Sequence, residues 1–125
     1  MRVLIVDDQE PFRAVARAVV ELTDGFEVAG EVETGEASVE AARALRPDLI
    51  LMDVNLPGIS GLEATRQILA ETGGGKPVVV LVLSTYEAGE YAPQAADAGA
   101  AAFISKSDFS PERLQAAWDA ATATA

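Results

Sequence analysis

Acidic, hydroxyl and amine side chains follow four short apolar runs of this sequence, and together they could act on a phosphoryl group. These residues are Asp7, Asp8, Asp53, Ser84 and Lys106. Three carboxylates brought together at neutral pH repel one another, and burial strengthens that repulsion. A divalent cation relieves it. Mg²⁺ suits such a site better than Ca²⁺, because Mg²⁺ is held by one or two carboxylates, several waters and a phosphate.

An aspartate oxygen that attacks phosphorus in line needs its own negative charge masked, and the equatorial phosphoryl oxygens need theirs neutralised. Mg²⁺ would do the first. Lys106 would supply a point charge to one phosphoryl oxygen, and the Ser84 hydroxyl would donate a hydrogen bond to another. No general base is required, because a carboxylate is already ionised at neutral pH.

The composition excludes several other kinds of site. The 125 residues fit one compact domain and include no Cys and no His, which excludes disulfides, zinc sites, serine–histidine triads and phosphohistidine carriers. The net charge of -11 makes nucleic acid and anionic membrane surfaces poor partners for this segment. The apolar runs are too short for a signal peptide or a membrane span, so we expect a cytoplasmic domain.

Short apolar runs alternate with amphipathic stretches about five times, which predicts an α/β domain with a parallel sheet between two helical layers. The predicted strands are residues 3–6, 26–32, 49–52, 78–83 and 101–104. The second alternates apolar and polar residues, as an exposed edge strand does. Ligands of open parallel sheets bind at the carboxyl ends of the strands, so the residues that follow these runs should converge there.

Capping residues mark the helix starts. They are Pro11, Thr34, Ser60 with Glu63 in a capping box, and Ser110 before a proline. Periodicity predicts an apolar face on the first helix, made of Phe12, Val15, Ala16, Val19 and Leu22. In the fourth helix, Pro93 is expected near the first turn. The domain is predicted to cover 1–119, with a fraying tail or the start of a linker at 120–125.

Three motifs give the sequence its resemblance to a known family. They are VLIVDD at 3–8, LMDVNLPG at 51–58 and FISK at 103–106. In this order, with the hydroxyl of Ser84 between the last two, the chain resembles the receiver domain of two-component response regulators over essentially its whole length. It is most similar to the receivers of helix-turn-helix regulators of the NarL and LuxR type. The resemblance implies the flavodoxin-like (βα)5 fold with strand order 2-1-3-4-5.

The resemblance also implies roles for the site residues. Asp53 would be the phosphoacceptor and a ligand of Mg²⁺. Asp8 would bind the ion directly, Asp7 would act through water or by orientation, and Asn55 would use its backbone carbonyl. Ser84 would turn toward the phosphoryl group, and the rotamer of Phe103 would follow.

Two positions set this chain apart from many receivers. Ser107 follows Lys106 where a proline in a cis peptide is common, so no cis bond is expected. Tyr86, two residues after Ser84, could shield the phosphoryl group from water. Together with Asn55 it is predicted to tune dephosphorylation, and we expect slow loss of the phosphoryl group.

The resemblance implies a signalling switch that is phosphorylated by a sensor histidine kinase or a small phosphodonor. The changed surface near the fourth helix, fifth strand and last helix would control a partner or a fused output domain, as a monomer or a phosphorylation-promoted homodimer. The sequence leaves open the receiver half of a DNA-binding regulator, a pure interaction module and an aspartyl-phosphate phosphatase. Phosphatases of that kind usually carry an acid two residues after the nucleophile, where this chain has Asn55.

Overall fold

The structure, a computed structural model, describes residues 1–71, 78–85 and 88–123. In these ranges strands and helices alternate as the apolar pattern predicts. The strands are β1 (Arg2–Val6), β2 (Glu27–Val32), β3 (Leu49–Asp53), β4 (Val79–Ser84) and β5 (Ala102–Ser105). The helices are α1 (Glu10–Leu22), α2 (Gly35–Leu45), α3 (Gly61–Glu71), α4 (Ala88–Ala98) and α5 (Pro111–Thr122). None of the helices in the described ranges is long and apolar enough to cross a membrane.

The strands form one parallel sheet in the order β2-β1-β3-β4-β5, which confirms the predicted flavodoxin-like order. Val6 lies opposite Met52, and Asp53 lies opposite Leu83, so the carboxyl ends of the three central strands are nearly level. β2 is an edge strand, as predicted, and its register with β1 shifts by one residue after Val3. The strand order reverses at β1 and β3, where a ligand crevice is expected.

Alternate residues of the central strands enter two cores, one on each face of the sheet. Ile5, Leu51 and Leu83 pack on the face covered by α1 and α5. Val6 and Met52 pack on the opposite face, which is covered by α2, α3 and α4. Burial on both faces explains why these strands are continuously apolar. It also makes the sheet a firm support for the side chains that follow each strand.

The buried face of α1 differs in part from the predicted one. Ala16 and Val20 are fully buried, but Val15 is 49% and Leu22 is 73% exposed. Each residue advances the helix by about 100°, which places these two roughly 100–120° away from Ala16 around the axis. The inward positions are shared instead with Arg13, which is buried. The prediction for Val15 and Leu22 was therefore wrong.

Three of the predicted helix caps form. The side-chain oxygens of Thr34, Ser60 and Ser110 each accept the backbone N–H of the third residue that follows. The carboxylate of Glu63, however, accepts a hydrogen bond from the Gln67 amide at 3.2 Å along the helix surface. Its predicted return bond to the cap residue is replaced by this contact, so the capping box at α3 is formed on one side.

Helix α4 places Pro93 in its interior, so the predicted position in the first turn was wrong. A proline there removes one helical hydrogen bond. Pro93 is exposed, whereas Ala95 and Ala98 further along the helix are buried. Packing of these alanines against the rest of the domain therefore holds the helix in spite of the proline. At the other end of the domain, α5 continues through Thr122.

The chain leaves β5 through a short 3₁₀ turn, Lys106–Asp108. Every peptide bond among the described residues is trans, including the bond between Lys106 and Ser107. This agrees with the expectation drawn from the missing proline. The turn fixes Lys106 at the carboxyl end of the sheet, close to the ends of β1 and β3.

Candidate functional site

The residues predicted to act together come from distant parts of the chain and meet at the carboxyl end of the sheet. Asp7 directly follows β1, Asp53 ends β3, Ser84 ends β4 and Lys106 directly follows β5. Parallel strands place their carboxyl ends at the same edge, so the order of the strands alone brings these side chains close. The structure therefore brings together the acids and the lysine that the sequence singled out.

Three carboxylates form what we call the acidic cluster: Asp7, Asp8 and Asp53. One oxygen from each lies within 4.8 Å of the others. Asp7 is 1% and Asp53 is 6% exposed, whereas Asp8 is exposed. The cluster thus has a closed side against the sheet and an open side toward solvent, from which a phosphorylated group could approach.

Lys106 is the cation beside this cluster. Its Nζ donates a hydrogen bond to Asp7 Oδ2 at 2.6 Å and lies 3.5 Å from Asp53 Oδ1. The same nitrogen lies 4.4 Å from the centroid of the Phe12 ring, within the range of a cation–π contact. Two carboxylates and one aromatic ring therefore fix the ammonium group in a largely buried position.

The environment of Asp53 opposes its ionisation. Burial, together with the neighbouring Asp7 carboxylate, raises the pKa of the Asp53 carboxyl from 3.8 to about 6. The Lys106 ammonium and the backbone N–H of Asn55 act in the opposite direction. Asp53 is therefore ionised at neutral pH, but at a cost in free energy that an added cation would offset.

The donor set of the acidic cluster fits a hard divalent cation. All three donors are carboxylate oxygens, and Mg²⁺ and Ca²⁺ both prefer oxygen ligands. Three carboxylates against one ammonium group leave a local excess of negative charge. The exposed side chain of Asp8 leaves room for water or a phosphoryl oxygen to complete the coordination. This is the arrangement in which Mg²⁺ keeps several non-protein ligands.

The predicted switch residues, Ser84 and Phe103, lie on the neighbouring strands β4 and β5. Ser84 is fully buried at the end of β4, and Ser105 is its register partner on β5. Phe103 pairs with Val82 across the same two strands. It is half-buried and packs against the core that contacts α2, α3 and α4. Their switching roles stay a prediction.

Of the two residues that were predicted to tune dephosphorylation, Asn55 and Tyr86, the structure describes only Asn55. Asn55 is exposed, and its backbone N–H donates a hydrogen bond to the Asp53 carboxylate. That contact ties the loop after β3 to the acidic cluster. Tyr86 lies outside the described residues. Its shielding role stays a prediction.

Three residues at this site were not singled out by sequence reasoning: Phe12, Gly61 and Arg13. Phe12 was assigned to the core, and its ring also contacts Lys106. A Cβ on Gly61 would lie 1.9 Å from the Asp53 carbonyl oxygen, so only glycine allows α3 to start this close to β3. Arg13 donates a hydrogen bond to the Asp7 carbonyl at 2.6 Å. The sequence signal that could have identified Arg13 was the presence of an arginine at an inward position of a helix.

Comparison with known proteins agrees with this geometry. Residues 3–119 match the family model of the response regulator receiver domain. The response regulator GacA of Pseudomonas viridiflava is 40% identical over 116 residues, which cover 93% of this chain and 53% of GacA.

Two solved structures are similar to this chain in both fold and sequence. The receiver domain of the putative response regulator NarL from Mycobacterium tuberculosis superposes with a TM-score of 0.85 at 29% identity, covering 98% of this chain and 97% of that one. A LuxR-family response regulator from Aurantimonas sp. SI85-9A1 gives a TM-score of 0.84 at 30% identity, covering 95% and 82%. These likenesses confirm the predicted similarity to NarL and LuxR type receivers.

The chain belongs to the response regulator receiver domain family, whose members are the signalling switches of two-component phosphorelays. It is thus a regulatory domain. The chain spans about half the length of the GacA proteins it matches.

Proposed function

We propose that Asp53 accepts a phosphoryl group and that the acidic cluster binds the Mg²⁺ ion that this transfer requires. The observation that carries the proposal is the meeting of three carboxylates within 4.8 Å beside Lys106. One carboxylate ends a central strand and is buried, so its orientation is fixed before any ligand arrives. Families of this kind use such a residue as the acceptor, and the match over residues 3–119 supports the same role here.

The ligands of Mg²⁺ would be carboxylate oxygens of Asp8 and Asp53 and the backbone carbonyl of Asn55, with Asp7 acting through water or by orientation. When bound, the ion would mask the charge of the attacking carboxylate and of the phosphoryl oxygens. Asp8 suits direct coordination because its side chain is exposed at the open side of the cluster. Asp7 suits an orienting role because Lys106 already occupies one of its oxygens.

The transfer itself uses groups of this chain. One oxygen of Asp53 forms a bond to phosphorus as the bond from phosphorus to the histidine nitrogen of the kinase, or to the carboxylate oxygen of acetyl phosphate, breaks. The electron pair of that bond leaves with the departing group. Lys106 neutralises one equatorial oxygen, and the Ser84 hydroxyl donates a hydrogen bond to another. No proton has to be removed from Asp53, because its carboxylate is ionised above a pKa of about 6.

The output follows from a change of population between two forms of the domain. A phosphoryl group on Asp53 binds better to the form with Ser84 drawn toward it, and the space released allows Phe103 to turn inward. The face made by α4, β5 and α5 then changes. A sensor histidine kinase is the proposed donor, and a fused output domain or a separate protein is the proposed target. We propose no turnover of other substrates, beyond self-phosphorylation from small donors and loss of the phosphoryl group.

The experiment is to incubate the protein with Mg²⁺ and acetyl phosphate and to measure its intact mass. We expect the mass of one phosphoryl group to be added to the wild type and not to Asp53→Asn. Asp24→Asn is the matched control, because Asp24 is an exposed aspartate at the turn after α1, away from the acidic cluster. Labelling of Asp53→Asn, or no labelling of the wild type by acetyl phosphate or by a cognate kinase, would contradict the proposal.

A further inference from the structure

Arg13 is a buried arginine whose guanidinium group contacts the backbone of the acidic cluster. It is 9% exposed. Its Nη1 donates to the Asp7 carbonyl oxygen at 2.6 Å, and its Nη2 donates to the Glu10 carboxylate at 2.5 Å. Arginine is seldom buried in a protein unless its charge and donors are paired. The hydrogen bond from Arg13 to Asp7 is not a charge pair at the surface, because its acceptor is a backbone carbonyl.

With this contact, every polar group of Asp7 has a partner. Its N–H donates to the Val32 carbonyl at 3.1 Å. Its Oδ1 accepts the Gln9 N–H at 2.8 Å, and its Oδ2 accepts the Lys106 ammonium at 2.6 Å. Its carbonyl oxygen accepts Arg13. The residue is thus held by β2, by α1 with its N-cap residue Gln9, and by the turn after β5.

The carbonyl of Asp7 and the N–H of Asp8 belong to one planar peptide unit. A donor that fixes this carbonyl therefore fixes the direction in which the chain carries Asp8. The Asp8 side chain is exposed, so packing holds it less firmly than it holds Asp7. We infer that Arg13 is a positioning residue of the phosphorylation site, which aims Asp8 at the Mg²⁺ ion by holding the peptide unit between residues 7 and 8. This inference rests on the proposed function.

The charge of Arg13 does not account for such a role. The guanidinium group lies 3.7 Å from Glu31 and 3.5 Å from Glu33, in addition to its bond with Glu10. These carboxylates balance its charge. A role of Arg13 through its charge and a role through geometry also predict opposite effects on the binding of a cation when Arg13 is replaced. Removal of a positive charge near the cluster would tighten binding of a cation, whereas loss of a positioning contact would weaken it.

The test measures Mg²⁺ binding by calorimetry for Arg13→Met, Arg13→Lys and the control Arg17→Met. Arg17 lies one turn further along α1 and pairs with Glu31 at 2.6 Å, without a bond to Asp7. We expect about ten-fold weaker binding in Arg13→Met, the size typical for loss of a residue that orients a metal ligand. Arg13→Lys keeps the charge and one donor nitrogen, so its Mg²⁺ affinity should lie between those of Arg13→Met and the wild type. Arg17→Met should bind as the wild type does or slightly more tightly.

A second measurement works without the metal. Exchange of the Gln9 amide hydrogen with solvent reports on its bond to Asp7 Oδ1. It should be faster in Arg13→Met than in the wild type and unchanged in Arg17→Met. Unchanged or tighter Mg²⁺ binding in Arg13→Met would overturn the inference, as would weaker binding with wild-type exchange at Gln9.

The two measurements also separate this inference from the proposed function. If the wild type bound no Mg²⁺, the proposed function would fail, and the exchange rate of Gln9 alone would decide the role of Arg13. If Arg13→Met did not fold, Arg13→Lys would decide it. Weaker Mg²⁺ binding together with faster Gln9 exchange in that variant would support the inference, and wild-type values of both would overturn it.

Discussion

Two contacts between a cation and a carboxylate in this molecule have almost the same geometry and very different surroundings. Lys106 lies 2.6 Å from Asp7 inside the acidic cluster, with both side chains below a tenth exposed. Arg43 of α2 lies 2.5 Å from Glu71 of α3, with side chains 59% and 40% exposed. Distance alone would rank them together. Burial separates them, because water and salt screen the exposed pair and leave the buried charges to act on one another.

The surroundings also decide the direction of the pKa changes. Arg43 lowers the pKa of Glu71, because the exposed carboxylate gains a partner and loses little hydration. Asp53 has a cation nearby as well, yet its pKa is raised, because burial and the Asp7 carboxylate outweigh Lys106. The pair of Arg43 and Glu71 is therefore an ordinary exposed ion pair. At the acidic cluster, by contrast, the fold holds negative charge in place without neutralising it. This prepares the site for an added cation.

The largest effect on stability is expected from Lys106→Met. Without the ammonium group, Asp7 and Asp53 face each other with no cation between them, and breaking a buried pair in this way costs roughly 3 kcal/mol. Urea unfolding just above neutral pH in the absence of Mg²⁺ would measure the loss. Added Mg²⁺ should restore more stability to this variant than to the wild type. Equal stability of Lys106→Met and the wild type would show that the buried pair is energetically no different from the surface pair.

The next effect is a pH dependence that belongs to Asp53. Its pKa is about 6 in the folded protein and 3.8 ordinarily, so the folded state favours the protonated acid. That preference contributes fully below pH 3.8 and is lost as the pH rises through 6. Asp53→Asn should therefore be more stable than the wild type above pH 6, by roughly 2 kcal/mol after allowance for solvent screening.

The difference between Asp53→Asn and the wild type should shrink as the pH falls through 6 and vanish below pH 3.8. Unfolding curves of both proteins without Mg²⁺, recorded across this interval, would measure it. Asp24→Asn, at an exposed position, serves as the control. A constant difference at all pH values would contradict the raised pKa of Asp53.

A smaller effect is expected from Mg²⁺ itself. At ten times its dissociation constant, an ion that binds the folded state alone stabilises it by roughly 1.4 kcal/mol. Thermal melts should show this gain in the wild type and not in Asp8→Ala, which lacks the exposed ligand of the acidic cluster. A midpoint that Mg²⁺ leaves unchanged in the wild type, or raises equally in both proteins, would argue against the assigned metal site.

The smallest effect is expected at the surface pair. Arg43→Ala should leave the thermal midpoint within error of the wild type, because exposed ion pairs contribute little. High salt should not change the comparison between the two proteins. A loss of stability similar to that of Lys106→Met would mean that distance, and not burial, decides the strength of these contacts.

The apolar pattern was sufficient to predict a parallel α/β sheet and the position of the acidic cluster, whereas the strand order came from the family resemblance. Asp7 and Asp53 each follow a continuously apolar run, and Lys106 follows another after Ser105. A parallel sheet places the residues after its strands at one edge. These signals are strong because strands buried on both faces allow few other interpretations. The switch roles assigned to Ser84 and Phe103 came from the family resemblance, and they stay predictions.

Other features could not be predicted because they depend on which neighbours a helix finds. The inward face of α1 was judged from apolar residues alone, so Arg13 was overlooked and Leu22 was placed inside. The interior position of Pro93 reflects packing of later alanines, which outweighs the local preference of proline for a first turn. In both cases, contacts distant in sequence override a local rule.

The register shift at the edge of the sheet has a consequence for how copies of this domain meet. Val3 pairs with Val28 and Leu4 pairs with Gly30, so β2 carries one extra residue opposite β1. A bulge of this kind breaks the regular row of backbone donors and acceptors that another strand would need for pairing. Glu27 on the same strand is exposed and would oppose its counterpart in a second copy. Both features disfavour pairing of the open β2 edge with the edge of a second copy, and so oppose edge-to-edge aggregation.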